Sequence, residues 1–196
     1  PPGPRPRCAR APGGPGAAAS RPRGSLPPGA GGAPSLLRVI AGLTMPESGT
    51  VTWRGADFRE QIRAGQLRMT FSSHALALKA ELSTRANLDF FARLSGMADK
   101  VDEILELAGL GSCADLDVRQ LSAGQKRRAA LARILLSRAE LWLLDEPQTN
   151  LDAAGRQAVE AAIRGHLGQG GTVVVAAHQA LDLGSASLAR LKLGEA

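Results

Sequence analysis

Two short apolar runs without alternation constrain this chain more than any other feature. LWLLDE (141–146) and TVVVAAH (172–178) are continuous apolar stretches that end on ionisable residues. A strand with one face in water alternates apolar and polar side chains; a strand without alternation is covered on both faces. Between them AAGRQAVEAAIRGHLG (153–168) reads as a helix. A helix between two buried strands is the crossover that parallel pairing requires. The fold class that follows is α/β, a mainly parallel sheet with helices on both faces. In such sheets ligands lie beyond the carboxyl ends of the strands. Asp145, Glu146 and His178 stand at those ends.

Upstream, SLLRVIAGL (35–43) reads as a short apolar helix ending near Gly42, and GTVTWRG (49–55) and LRMTFSS (67–73) as strands. STRANLDFFARLSG (83–96) and DKVDEILELAGL (99–110) read as helices, and a helical subdomain is expected over about 75–120. LSAGQKRRAALARILLSR (121–138) reads as a long helix entered through Ser122, and SASLARLKLG (185–194) as a weak terminal strand.

Residues 1–34 have a different texture. They hold ten of the twelve prolines, eight of the 23 glycines, five arginines, no acidic residue and no aromatic one. Such a segment buries too little apolar surface to offset its ordering entropy and is expected to be disordered. Most of the net charge of +6 resides there; residues 35–196 carry 19 basic and 18 acidic side chains. A near-neutral folded part argues against a nucleic-acid partner. Cys8 and Cys113 have neither metal-ligand nor redox spacing, which favours a reducing compartment. No apolar run reaches the roughly 18 residues of a membrane span, and no secretory signal is visible. The first residue is Pro rather than Met, as in a fragment, a processed chain or an imperfect gene model.

Three segments carry the chemistry. Asp145 and Glu146 are adjacent carboxylates at the end of a buried strand, where ionised groups need compensation. A magnesium ion on Asp145 supplies it, and Glu146 can then orient or deprotonate a water. In LSAGQ (121–125), Ser122 fits an N-cap, and Gly124 allows close backbone approach. The helix start that follows suits an anion. His178 ends the neighbouring strand, from which its imidazole can reach the same phosphate. Taken singly, these also fit a surface turn, a capped helix and a structural histidine.

With NLD (150–152), the segments resemble the ATP-binding cassette family in order and spacing, from residue 35 to about 190. LSAGQ is similar to the family's signature, LWLLDE to its Walker B strand, NLD to its D-loop and His178 to its switch histidine. Within the family, FSSHALALKAELS…ANLDFF and the pair His178-Gln179 resemble the haem-exporter ATP-binding subfamily of bacterial cytochrome c maturation. The resemblance implies a P-loop NTPase-type sheet and ATP hydrolysis, with Glu146 and His178 catalytic. Asp145 would hold magnesium, His74 in the Q-loop position would sense metal or water, and Ser122, Ala123, Gly124 and Gln125 would bind nucleotide. It also implies a head-to-tail pair of chains coupled through Asp152, integral membrane subunits docking near the Q-loop and residues 83–110, and a peripheral place on the cytoplasmic side of the bacterial inner membrane.

The chain departs from the family at the phosphate-binding loop, G-x-x-x-x-G-K-[ST]. In PPGAGGAPSLLRVIAGL (27–43), Gly32 falls on the last loop glycine, Ala33 on the lysine and Pro34 on the hydroxyl residue. Ser35 begins the remaining helix. The point charge on the phosphates, a magnesium ligand and one N–H donor are all lost. The upstream strands and the adenine-stacking aromatic residue are missing too, so that residues 35–196 read as a truncated nucleotide-binding domain. The composition break at this point reads as an out-of-frame stretch of GC-rich coding DNA over 1–34; a degenerate cassette and a true disordered extension are the alternatives. Three functions stay open: an impaired transporter ATPase, a non-catalytic pseudo-ATPase module, and a soluble cassette ATPase of a non-transport system.

Overall fold

A computed structural model describes residues 32–73, 75–186, 188 and 189. Of the stretch read as disordered, only residues 32–34 are described, and they are helical. Helix α1 spans Gly32–Ile40, three residues longer at its start than the sequence suggests. Pro34 is tolerated there because first-turn N–H groups have no partner inside the helix.

The stretch read as one strand over 49–55 is a small hairpin instead. Strands β1 (Thr52–Trp53) and β2 (Ala56–Asp57) pair antiparallel, with Thr52 opposite Asp57. Arg54 and Gly55 both take positive φ, 51° and 85°, as a two-residue hairpin turn demands. Helix α2 (Phe58–Arg63) follows, capped by Asp57, whose carboxylate accepts from the N–H groups of Arg59 and Glu60.

The main sheet has three parallel strands in the order β3 (Met69–Ser72), β4 (Leu141–Asp145), β5 (Thr172–Ala176). Met69 aligns with Leu141 and Leu141 with Thr172. All five residues of β4 are buried. β5 is covered less well than its sequence suggests: only Ala176 is fully buried. It forms an edge of the sheet among the described residues, so one side lacks a strand neighbour. Residues 185, 186, 188 and 189 of the expected terminal strand are not in a strand; the remainder lies outside the described residues.

Helices α3 (Thr84–Ser95), α4 (Val101–Leu107), α5 (Ala123–Leu135) and α6 (Ala153–Gly168) complete the fold. α3 is bounded by Ser83 at its start and left-handed Gly96 at its end. α5 joins two packing layers. Ala129 and Ala132 pack with Leu88 and Leu105 of α3 and α4, while Ile134 packs with Trp142 of β4 and Val159 of α6. A third layer buries Leu37 of α1 and Phe58 of α2 against Leu141 and Leu143. The sheet is thus covered by α1 on one face and by α5 and α6 on the other.

Candidate functional site

The carboxyl ends of β4 and β5 bring the sequence's principal candidates together. Glu146 and His178 follow these strands, and Glu146 Oε1 lies 3.4 Å from His178 Nε2. The glutamate side chain is 30% exposed and the histidine 95%, so the pair stands at the surface with its carboxylate partly shielded. Asp145, 8% exposed, closes β4 beneath it. The Glu146 N–H donates to the Ala176 carbonyl at 2.8 Å, extending the strand pairing into the site. Thr149 Oγ1 donates to Glu146 Oε2 at 3.4 Å. Glu146 takes φ +48°, a left-handed conformation that is sparsely populated outside glycine.

The signature segment adjoins this site from the start of α5. Ser122 Oγ accepts from the Gln125 N–H at 3.2 Å, and Gln125 Oε1 accepts from the Ser122 N–H at 2.8 Å. This reciprocal box satisfies two otherwise unpaired donors. Gln125 Nε2 also donates to Cys113 Sγ at 3.1 Å. Ala123 is exposed at the first helical position. Gly124 sits in a tight place: a Cβ there would lie 3.3 Å from the Asn150 carbonyl oxygen. The signature and the loop after the carboxylates therefore approach each other closely. Asp152 caps α6, its Oδ1 accepting from the Gly155 N–H at 2.7 Å. Gly32 and Ser35 fall in the first turn of α1. His74 lies outside the described residues.

Arg127 does not stand out as a functional residue in the sequence, where it reads as the middle of three consecutive basic residues on a helix. It is 4% exposed. Its guanidinium donates to the carbonyls of Ser73, Asp145 and Glu146. Burial lowers its pKa, and the nearby Asp145 and Glu146 charges oppose that shift. A cavity of about 810 Å³ lies between α4, α5 and α6 and is lined by neither Glu146 nor His178. The Glu146–His178 pair lies at the strand ends, in the open.

The donor set can be tested for a divalent cation. Carboxylate oxygens at Asp145 and Glu146 suit a hard cation that keeps part of its water shell. No group of three or more His, Cys, Asp and Glu forms a protein cage among the described residues. The carboxylate side fits magnesium arriving with a nucleotide. The α1 side does not, since Ala33 and Pro34 supply neither an ammonium nor a hydroxyl.

A family model described as "ABC transporter" matches residues 27–149. The cytochrome c biogenesis ATP-binding export protein CcmA of Methylococcus capsulatus is 45% identical over 155 residues, covering 78% of this chain and 75% of the relative. The protein of the same name from Pseudomonas aeruginosa is 39% identical over 163 residues, covering 82% and 80%. Among solved structures, an ATP-binding cassette dimer in a post-hydrolysis state with ADP and Pi matches with a TM-score of 0.64. It is 23% identical and covers 74% of this chain and 69% of that one. That likeness establishes the fold.

Proposed function

The chain belongs to the ABC transporter family, and on that premise we propose that it is the ATP-binding subunit of an exporter serving cytochrome c biogenesis, with haem or a haem-related compound as cargo. Its relatives of that name support the pathway. The observation that carries the biochemical reading is the 3.4 Å approach of Glu146 to His178 at adjacent strand ends.

In this reading Glu146 orients and deprotonates the water that attacks the terminal phosphate. His178, almost fully exposed, contacts that phosphate and holds Glu146 toward it. Asp145 holds the magnesium of the nucleotide complex, and His74 senses that metal or its water. Two chains pair head to tail, so that Ser122, Ala123, Gly124 and Gln125 of one face the nucleotide seated on α1 of the other, at Gly32 and Ser35. Asp152, at the start of α6, couples the two sites. No helix among the described residues is long and apolar enough to cross a membrane. The reading places the chain peripherally, on the cytoplasmic face of the bacterial inner membrane, against integral membrane subunits.

Phosphate anchorage is the weak part. Ala33 removes a cation, and Pro34 removes both a hydroxyl and an N–H from the first turn of α1. Removing one preorganised donor costs on the order of 10²–10³ in rate. This favours an impaired ATPase, and the same observation supports a second reading as a non-catalytic module that keeps the partner surfaces. A pull-down of the full chain with detergent-solubilised membrane subunits of a cytochrome c biogenesis exporter tests the transporter assignment. Retention is expected; its absence overturns the assignment.

A further inference from the structure

We propose that Arg127 is a positioning residue of the hydrolytic site: from the signature helix, its buried guanidinium fixes the backbone on which Glu146 stands. The inference rests on the reading of Glu146 as the hydrolytic carboxylate.

Arg127 leaves the first turns of α5, five residues after the Ser122 cap. Nη2 donates to the Asp145 carbonyl at 2.8 Å and to the Glu146 carbonyl, and Nη1 donates to the Ser73 carbonyl at 3.3 Å. One fork thus joins the signature helix, the end of β3 and the end of β4. A planar guanidinium can span three carbonyls; an ammonium cannot hold the same geometry. Burying a cation is costly, which argues that the site needs this one. The negative charges of Asp145 and Glu146 offset part of that cost.

The need is apparent at Glu146. Its φ of +48° costs a non-glycine residue free energy and persists only where the surroundings over-determine it. The N–H is held by the Ala176 carbonyl and the C=O by Arg127. With the C=O released, the residue relaxes toward negative φ, and its carboxylate swings away from His178 and Thr149. A shift of α5 would therefore be felt at Glu146 through one side chain.

Arg133 provides an internal control. It lies on the same helix, is half-buried, and donates to the Phe71 carbonyl of β3 at 3.3 Å. Its guanidinium also sits over the ring of Phe91 on α3. It shares the anchorage to β3, but its second partner is α3 rather than the end of β4.

The test uses the full chain, with amide hydrogen exchange and the ring resonances of His178. The imidazole is 95% exposed, so its resonances report on Glu146 rather than on packing. In R127M the Glu146 amide should exchange about ten- to a hundredfold faster. The His178 ring should move to its position in E146Q. R133M should lower the melting temperature and leave both signals at wild type. If R127M does not fold, R127K takes its place with the same expected changes. A folded Arg127 variant with unchanged Glu146 exchange and an unmoved His178 ring overturns the proposal; so does R133M moving both signals as far. ATP hydrolysis is read separately, in chains that also carry Ala33→Lys and Pro34→Ser. A chain so repaired that hydrolyses nothing yet shows the Arg127-specific changes rejects the ATPase reading and retains the positioning role.

Discussion

Around Glu146 the main chain is held from two sides, by the Ala176 carbonyl and by the Arg127 guanidinium. The first turn of α1 reads Gly32-Ala33-Pro34, a methyl and a pyrrolidine ring where a phosphate needs a cation, a hydroxyl and N–H donors. Both regions border the same sheet. The wall around Glu146 depends on contacts distant in sequence: β4 against β5, and α5 against β3 and the end of β4. It survives because the packing of residues 35–186 survives. Phosphate anchorage depends on a few consecutive residues, and distant contacts cannot stand in for them. On the proposed function, scaffold geometry and ligand affinity are separable in this chain.

The largest effect should come from repairing the weaker region. Ala33→Lys with Pro34→Ser should raise kcat/KM for ATP by about a hundredfold or more, since a charge and a ligand return together. Adding Glu146→Gln should remove the gain in turnover while leaving the gain in nucleotide affinity. A phosphate-release assay beside a binding titration separates the two. If the repaired chain hydrolyses ATP equally well when it also carries Glu146→Gln, the two regions do not share one reaction.

Stability should follow the same division within the sheet. Leu143→Ala in buried β4 should cost about 3 kcal/mol, and Val174→Ala at the half-buried edge strand about 1 kcal/mol. Equal losses in urea denaturation would mean that β5 is covered as well as β4. Ser122→Ala should cost about 1 kcal/mol by opening the capping box at the signature.

Much of this division is legible in the residues alone. Both apolar runs form parallel strands, short and rich in leucine or valine, with a helical segment between them to make the crossover. Ser122 and Asp152 are caps because their side chains satisfy first-turn N–H groups locally. Features that depend on distant partners are not legible. Arg127 looks like surface charge until β3 and β4 close around it. The left-handed turn at Glu146 carries no glycine to announce it. β5 has the composition of a central strand yet lies at an edge among the described residues, since covering it needs a neighbour that its own residues do not encode. The hairpin turn is signalled only by Gly55, and α2 is hidden by its length of six residues.

The smallest effect expected is on pH dependence. His166 stacks on Trp142 with ring centroids 4.0 Å apart. Burial lowers its pKa, opposed by its main-chain hydrogen bonds to Glu140 and Thr172. A histidine with a depressed folded pKa is protonated first in the unfolded chain. Its contribution should therefore be undiminished above its unfolded pKa and should fall as pH drops below it, levelling off once the folded form also protonates. For one proton the slope cannot exceed about 1.4 kcal/mol per pH unit. Urea midpoints between neutral and mildly acidic pH should fall for the wild type and fall less for His166→Phe.

The most direct measurement is calorimetric titration of Mg-ATP into the unaltered chain and into the Ala33→Lys/Pro34→Ser variant. The variant should give saturable binding and the unaltered chain none in the micromolar range. Micromolar binding by the unaltered chain would contradict the claim that its hydrolytic wall stands without phosphate anchorage.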